Sequence, residues 1–297
     1  MSTHDGAGAD PFVTHRNLLF TVAYELLGSA ADAEDVLQES WLRWAEVDRA
    51  EVRDPRAYLV RVVTRQSLNH LRTLSRRRED YVGEWLPEPL LTSRDVAEDV
   101  ELAESLSIAT LTVLETLGPA ERAVFVLREV FDLGYDEIAD AVGKTPAAVR
   151  QIAHRAKEHV AARRPRVRVE PTEQERVVRR LMLAFNTGDV QALMDVLAPD
   201  VVAIGDGGGK ARGAARRPIR GAQRIVAFLI GATEKWGLRP VASMTWINGA
   251  PALRVEVDGE LAGTVSVAIE HGLVTRIYSV ANPDKLARLD SEAPLAR

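Results

Sequence analysis

The sequence predicts a multidomain chain: two all-α modules, the second carrying a helix-turn-helix, followed by an α+β domain. Three observations lead there. The 297 residues amount to about two average domains. Apolar residues recur at helical spacing as far as Pro171, whereas beyond Val241 they alternate with the period of a strand. Charge is gathered in blocks before Pro171 and loses that patterning after it.

Composition excludes several classes. An apolar share of 46% with 27% charged residues is ordinary globular material. No run approaches the roughly 18–20 apolar residues that cross a bilayer, so no membrane partner is expected. The stretch Met1–Asp10 has neither a basic start nor a hydrophobic segment, unlike a signal peptide. The absence of cysteine removes disulfide, zinc-ribbon and thiol chemistry and favours the cytoplasm. Of the six histidines only His154 and His159 are close, and i, i+5 does not share a helix face. Neither metal nor cofactor is expected.

The first module, residues 10–79, reads as three helices. Phe12 to Leu27 has a broad apolar face of Val13, Leu18, Leu19, Val22, Ala23, Leu26 and Leu27, ended by Gly28. Ser29 or Asp32 caps the next helix, about Ala33 to Val47, with Val36, Leu37, Trp41 and Trp44 expected inside. Asp54-Pro55 opens a third helix to about Leu74, with an apolar line of Tyr58, Leu59, Val62, Val63, Leu68 and Leu71. An acidic linker spans 80–108, and a helical cluster runs from about Val100 to Ala162, its second module occupying 109–163. Residues 164–173 connect it to an α+β domain over 174–290. There, helices are expected at Thr172–Asn186, Asp189–Leu197 and Gln223–Trp236, and a short strand at Val201–Ile204. An antiparallel meander follows at Val241–Ile247, Ala252–Val257, Leu261–Glu270 and Leu273–Val280, turning at Asp258-Gly259 and His271-Gly272. The expected result is a curved sheet wrapped round a helix.

The most specific motif runs from Tyr135 to His154. Ile138 and Val142 point inward from a first helix, Ala139 is small enough for a crossing helix, and Gly143 supplies the turn. Thr145 caps a second helix that carries Pro146 in its first turn. Val149, Ile152, Ala153 and Ala156 face the core, which leaves Ala147, Arg150, Gln151 and His154 on the outer face. Arg and Gln make bidentate contacts to guanine and adenine edges in a major groove, while Lys144, Arg155 and Lys157 suit phosphates.

Charge blocks extend the nucleic-acid reading. Asp32–Asp54 has eight acids and three bases, Arg53–Arg78 eight bases and one acid. Glu79–Glu104 has nine acids and one base, and Lys144–Arg168 eight bases and one acid. Two basic blocks separated by an acidic spacer suggest two DNA footprints on one chain. Glu98, Asp99 and Glu101 of the spacer are candidates to compete with phosphate for those surfaces.

The residues also resemble a known family. Asp32-Ala-Glu-Asp-Val-Leu-Gln-Glu-Ser-Trp-Leu-Arg-Trp44 is similar to the core-polymerase-binding helix of bacterial sigma factors. Pro55 to Arg72 with Arg76-Arg77-Arg78 resembles the helix that melts the promoter and reads its −10 element. Leu117 to Val130 with the helix-turn-helix resembles the −35-reading domain, in the arrangement of the small extracytoplasmic-function type. Resemblance implies core RNA polymerase and promoter DNA as partners. It assigns polymerase binding to Asp32, Glu34, Asp35, Gln38 and Glu39. It assigns the −10 element to Arg53, Arg61, Arg65, Asn69, Arg72, Arg76 and Arg77, and the −35 element to Lys144, Thr145, Ala147, Arg150, Gln151, His154, Arg155 and Lys157. Physical chemistry agrees: an acidic amphipathic helix suits a basic coiled coil, and a basic, amide-bearing face suits a splayed single strand.

The C-terminal domain resembles the SnoaL-like cone of the nuclear-transport-factor-like fold, which the SigJ type of sigma factor carries. Three motifs match that combination: Trp85-Leu86-Pro87-Glu88-Pro89, Asp206-Gly-Gly-Gly-Lys210 and Asn282-Pro283-Asp284-Lys285-Leu286. Resemblance implies that the cone contacts the linker through these residues and acts as a fused regulator, with no separate anti-sigma factor. Asp206–Lys210 fails as a phosphate loop, because Ala211 stands where Ser or Thr is needed. A glycine loop crossing another backbone is the better account. A catalytic cone would draw on Asp206, His271, Arg254 and Tyr278, which no spacing rule ties together; a small ligand in an apolar pocket stays open. Two rivals stay open as well: a DNA-binding regulator fused to a cyclase- or isomerase-like enzyme, and a two-domain repressor with a ligand pocket. Neither needs an acidic polymerase-docking helix.

Overall fold

A computed structural model describes residues 10–79, 81–97, 99–163, 169–237 and 239–297, with the side chains of 74–79, 97, 100 and 236 excepted. Its helices are α1 (Pro11–Leu27), α2 (Ala30–Ala45), α3 (Pro55–Glu79), α4 (Val100–Leu106), α5 (Ile108–Leu114), α6 (Pro119–Glu129), α7 (Tyr135–Val142), α8 (Pro146–Ala161), α9 (Pro171–Thr187), α10 (Val190–Val196), α11 (Ala222–Trp236) and α12 (Pro283–Leu286). Its strands are β1 (Leu197–Asp206), β2 (Ile219–Arg220), β3 (Pro240–Ile247), β4 (Ala250–Val257), β5 (Glu260–Glu270) and β6 (Leu273–Val280). Two compact units emerge: Met1–Arg76 with Glu115–Val160 and Pro294–Arg297, and Arg77–Leu114 with Ala161–Ala293.

In the first unit, local chemistry starts and stops the helices. The Asp10 carboxylate accepts from the Phe12 amide at 2.8 Å, and Gly28 ends α1 with φ 68°. Ser29 caps α2, and Asp54 accepts from the Ala57 amide at 3.0 Å to open α3. Leu19, Val22, Leu26, Leu27, Leu59 and Val63 are buried. Two residues depart from the sequence expectation. Val13 is 61% exposed and Trp41 38%; Trp44 takes the buried place and donates its indole N–H to Asp10 at 3.0 Å. A wide apolar stripe does not say where the neighbouring helix stops covering it.

Helices α6 to α8 belong to this same unit. Arg122 of α6 is buried, donates to the Leu26 carbonyl of α1 at 2.9 Å, and meets Glu115 through two bonds of 2.9 and 3.0 Å. Burial pulls its pKa down to about 10. The fork therefore ties the second helical module to the first.

The second unit is a six-stranded sheet in the order β2-β1-β6-β5-β4-β3. β1 runs parallel to β6 and every other pairing is antiparallel, so the sheet is mixed, where the sequence pattern showed only the meander. The turns at Asp258-Gly259 and His271-Gly272 have both central residues at positive φ, as two-residue hairpins need, and Asn248-Gly249 adds a third. Adjacent strand residues divide between two faces. Leu253 and Ile269 join Val177, Leu181, Val196 and Ile225 under α9 to α11. Their neighbours Ala252 and Ala268 face the other way, with Ile247, Tyr278, Val280, Leu286 and two residues from the 80–108 segment and α5, Leu86 and Ile108. The segment expected to be a linker is thus part of the second unit's core.

Candidate functional site

On α8 the outer face stands as the motif requires. Gly143 turns the chain at φ 66°, and the Thr145 hydroxyl accepts from the Ala148 amide at 3.3 Å. Lys144, Thr145, Ala147, Arg150, Gln151, His154, Arg155 and Lys157 are all exposed, while Val149, Ile152, Ala153, Ala156 and Val160 are buried. The Arg150 guanidinium lies 5.5 Å from the centre of the Tyr135 ring, which steadies it without covering it. Lys157 pairs with Glu129 at 2.7 Å.

Helix α3 presents a second basic face. Arg53, Arg65, Asn69 and Arg72 are exposed; Arg61 is half-buried, with its guanidinium 5.2 Å from the centre of the Tyr58 ring. Arg65 donates to the Asp140 backbone carbonyl of α7 at 2.6 Å, so this arginine is engaged by the helix-turn-helix within the same unit. The side chains of Arg76 and Arg77 lie outside the described residues.

The acidic residues of α2 divide. Glu34 binds Arg16 at 2.7 Å, Asp32 meets His70 at 3.0 Å and Glu39 accepts from Gln66 at 2.9 Å. Asp35 and Gln38 are exposed, and exposed Trp41 and Leu42 continue that surface. In the acidic spacer, Asp99 caps α4 by accepting from the Leu102 amide at 3.1 Å, and Glu98 lies outside the described residues.

In the second unit the three motifs meet on one carboxylate. Asp206 is fully buried at the end of β1. One of its oxygens accepts from the Tyr81 hydroxyl and, at 3.1 Å, from the Gly208 amide. The other accepts from the Leu86 amide at 2.9 Å and from Lys285 Nζ at 2.7 Å. Lys285 also donates to the Leu86 carbonyl and sits 3.3 Å from the centre of the Trp85 ring. Asn282 caps α12 through the Asp284 amide at 3.1 Å and donates to the Tyr81 hydroxyl at 2.8 Å. Lys210 and Asp284 close the rim at 2.5 Å. A buried charge must be paired and hydrogen-bonded, and this one is. Burial and the facing Asp206 carboxylate raise the Tyr81 pKa, so the phenol keeps the proton it donates.

The glycines of the Asp206 motif have steric reasons. A Cβ on Gly208, at φ +57°, would lie 2.5 Å from Asn282 Nδ2, and one on Gly207 would lie 2.6 Å from Ala214 Cβ. Pro87, Glu88 and Pro89 are buried, and the segment continues to an isolated bridge between Leu91 and Ile247. The Leu90 amide donates to the Asn248 side chain at 2.9 Å, and its carbonyl accepts from the Asn248 amide at 2.9 Å. Gly249 donates to Thr92 Oγ1 at 3.0 Å. Tyr81, Thr92, Asn248 and Arg122 were not singled out in the sequence; only Asn248-Gly249, a turn dipeptide, carried a usable signal.

The structure places each of the four candidate catalytic residues in a distinct setting. Asp206 is absorbed by the clasp that Tyr81, Leu86, Gly208 and Lys285 form on it, Arg254 pairs with Glu256 at 2.8 Å, and His271 occupies a hairpin turn at φ 53°. Tyr278 is buried on the sheet face that holds Leu86, and burial pushes its pKa up to about 12. Among the described residues no helix is long and apolar enough to cross a membrane.

Known proteins show the same organisation. The Sigma-70 region 2 family matches residues 12–77 and the Sigma-70 region 4 family residues 107–160. The ECF RNA polymerase sigma factor SigJ of Mycobacterium tuberculosis is 38% identical over 287 residues, covering 92% of this chain and 91% of its own. SigI of the same species, described as a probable ECF RNA polymerase sigma factor, is 33% identical over 98% of this chain and 99% of its own. The crystal structure of M. tuberculosis SigJ superposes with a TM-score of 0.76 at 35% identity, covering 94% of this chain and 98% of that one. The chain belongs to the extracytoplasmic-function RNA polymerase sigma factors.

Proposed function

We propose that the chain carries core RNA polymerase to specific promoters, with the acidic face of α2 docking on the polymerase. In this reading α3 captures the unpaired −10 strand through Arg61, Arg65, Asn69 and Arg72, with Arg53, Arg76 and Arg77 at its ends. Helix α8 reads the −35 element, Arg150 and Gln151 contacting base edges and Lys144, Arg155 and Lys157 the backbone. The observation that carries the reading is the exposed Arg150–Gln151–His154 face on a capped helix after a glycine turn.

Arg65 donates one N–H to the Asp140 carbonyl, which leaves its other N–H groups for DNA but holds the side chain against α7. In this scheme full engagement of the −10 strand is accompanied by loss of that bond and separation of α3 from α7. The second unit acts as the fused regulator: the clasp on Asp206 holds the 81–92 segment and so limits how far the modules on either side of it can part. No separate anti-sigma factor is needed for this restraint, and the chain works by binding rather than by catalysis, in the cytoplasm.

Run-off transcription with core polymerase tests the reading. Wild-type protein is expected to give a promoter-dependent transcript that Arg65→Ala and Arg150→Ala each reduce. A promoter-dependent transcript unchanged in the double variant overturns it. Truncations after Arg164 and before Asn282 test the regulator, with transcript yields expected to differ from full length.

A further inference from the structure

The first face of the sheet is not completely filled. A cavity of about 230 Å³ lies among α9, α11 and one face of the sheet, with Phe185, Phe228, Leu229, Leu253 and Ile277 in its wall. Among the described residues only Arg212, Thr233 and Ser279 bring polar side chains to it, and no Asp, Glu, His, Lys or Tyr lines it. General acid–base chemistry has no group to use there, whereas an apolar body with one anionic end finds both its requirements. An apolar cavity of about 150 Å³ already accepts benzene, so this one suits a ligand of about ten to twelve heavy atoms.

One wall of the cavity is the back of the clasp. Gly205 lines the cavity and Asp206, next along β1, faces the other way into the buried pair with Lys285. On β6 and beyond, Ser279 and Ala281 line the cavity while Val280 packs beside Leu86 and Asn282 binds Tyr81. The loop that brings Arg212 also brings Ala214 and Ala215. Ala215 lies directly over Gly205, where a Cβ would approach its carbonyl to 3.0 Å, and Ala214 presses on Gly207. Gly208 in turn lies against Asn282. A body seated under Ala214 and Ala215 has a continuous packed route to the residues that hold Tyr81 and Leu86.

We propose that this cavity binds an apolar monocarboxylate, its chain among the two phenylalanines and Ile277 and its carboxylate at Arg212, and that occupancy tightens the Asp206 clasp on the 81–92 segment. The consequence for transcription rests on the sigma-factor reading, but the binding and the tightening do not.

Decanoate and decanol, titrated calorimetrically into the full-length protein, are the probes. Decanoate is expected to bind the wild type, Arg212→Gln to weaken it by about tenfold or more while leaving decanol unchanged, and Ala232→Trp to abolish both. Hydrogen exchange at the Leu86 amide, which reports the clasp directly, is expected to slow several-fold with saturating decanoate. Absence of decanoate binding to the wild type, or binding indifferent to both substitutions, overturns the site. Binding with unchanged Leu86 exchange overturns the coupling. Arg212 is exposed, so its variant remains informative even if Ala232→Trp fails to fold. None of these outcomes depends on promoter activity.

Discussion

Lys285 Nζ lies 2.7 Å from Asp206 Oδ2, with the lysine side chain 7% exposed and the aspartate completely enclosed. Two charges removed from water hold each other only because Leu86, Tyr81 and Gly208 complete the hydrogen bonding around the carboxylate. The pair therefore makes the 81–86 segment part of the domain: if the segment left, the carboxylate would lose two donors.

Lys285→Met is expected to destabilise the second unit by about 3–5 kcal/mol, because an uncompensated carboxylate stays buried. Denaturant unfolding of the full chain measures it. A loss below about 1 kcal/mol would mean that the clasp does not depend on charge pairing.

Gly208→Ala places a methyl against Asn282 and forces a non-glycine residue to φ +57°. Loss of more than about 1 kcal/mol is expected, together with increased proteolytic cleavage near Trp85. Neutral behaviour on both counts would contradict the tight crossing.

Arg122→Met removes the fork that joins α6 to α1 and leaves Glu115 and the Leu26 carbonyl without those donors. The first unit is expected to lose about 3 kcal/mol or more. The check is thermal unfolding followed through Trp44, which is buried in that unit.

Arg150→Ala and Lys144→Ala should differ in kind. The former is expected to cost about 1–3 kcal/mol of promoter affinity at particular base pairs, the latter to weaken all sequences and lower the salt slope by about one. Binding titrations at several salt concentrations separate them; identical profiles would argue against a base-reading α8.

Asn186 pairs its side-chain amide with both the N–H and the C=O of Ala242, each at 2.8 Å, on the edge strand β3. That occupies backbone groups which could otherwise recruit another strand. Asn186→Ala is expected to cost about 1–3 kcal/mol and to raise concentration-dependent light scattering.

Much of the fold was legible because local chemistry dictates it. Asp10, Ser29 and Asp54 cap helices from two or three residues away, and Gly28 and Gly143 end them at positive φ. The outer face of α8 followed from 3.6-residue periodicity alone. Val13 and Trp41 could not be placed, since burial depends on where a distant helix passes. The parallel pairing of β1 with β6 was equally hidden, because strands about 70 residues apart leave no turn dipeptide to announce them.

The sequence by itself determined the helical modules and the outer face of α8, because each is written in residues that act on near neighbours; the three motifs stood out by resemblance. Tertiary structure alone decided that the motifs converge on Asp206, that Arg65 reaches the Asp140 carbonyl, and that Arg122 joins α6 to α1. Those contacts span 75 to 120 positions in the chain. At such separations the choice of partner belongs to packing, which no local pattern encodes.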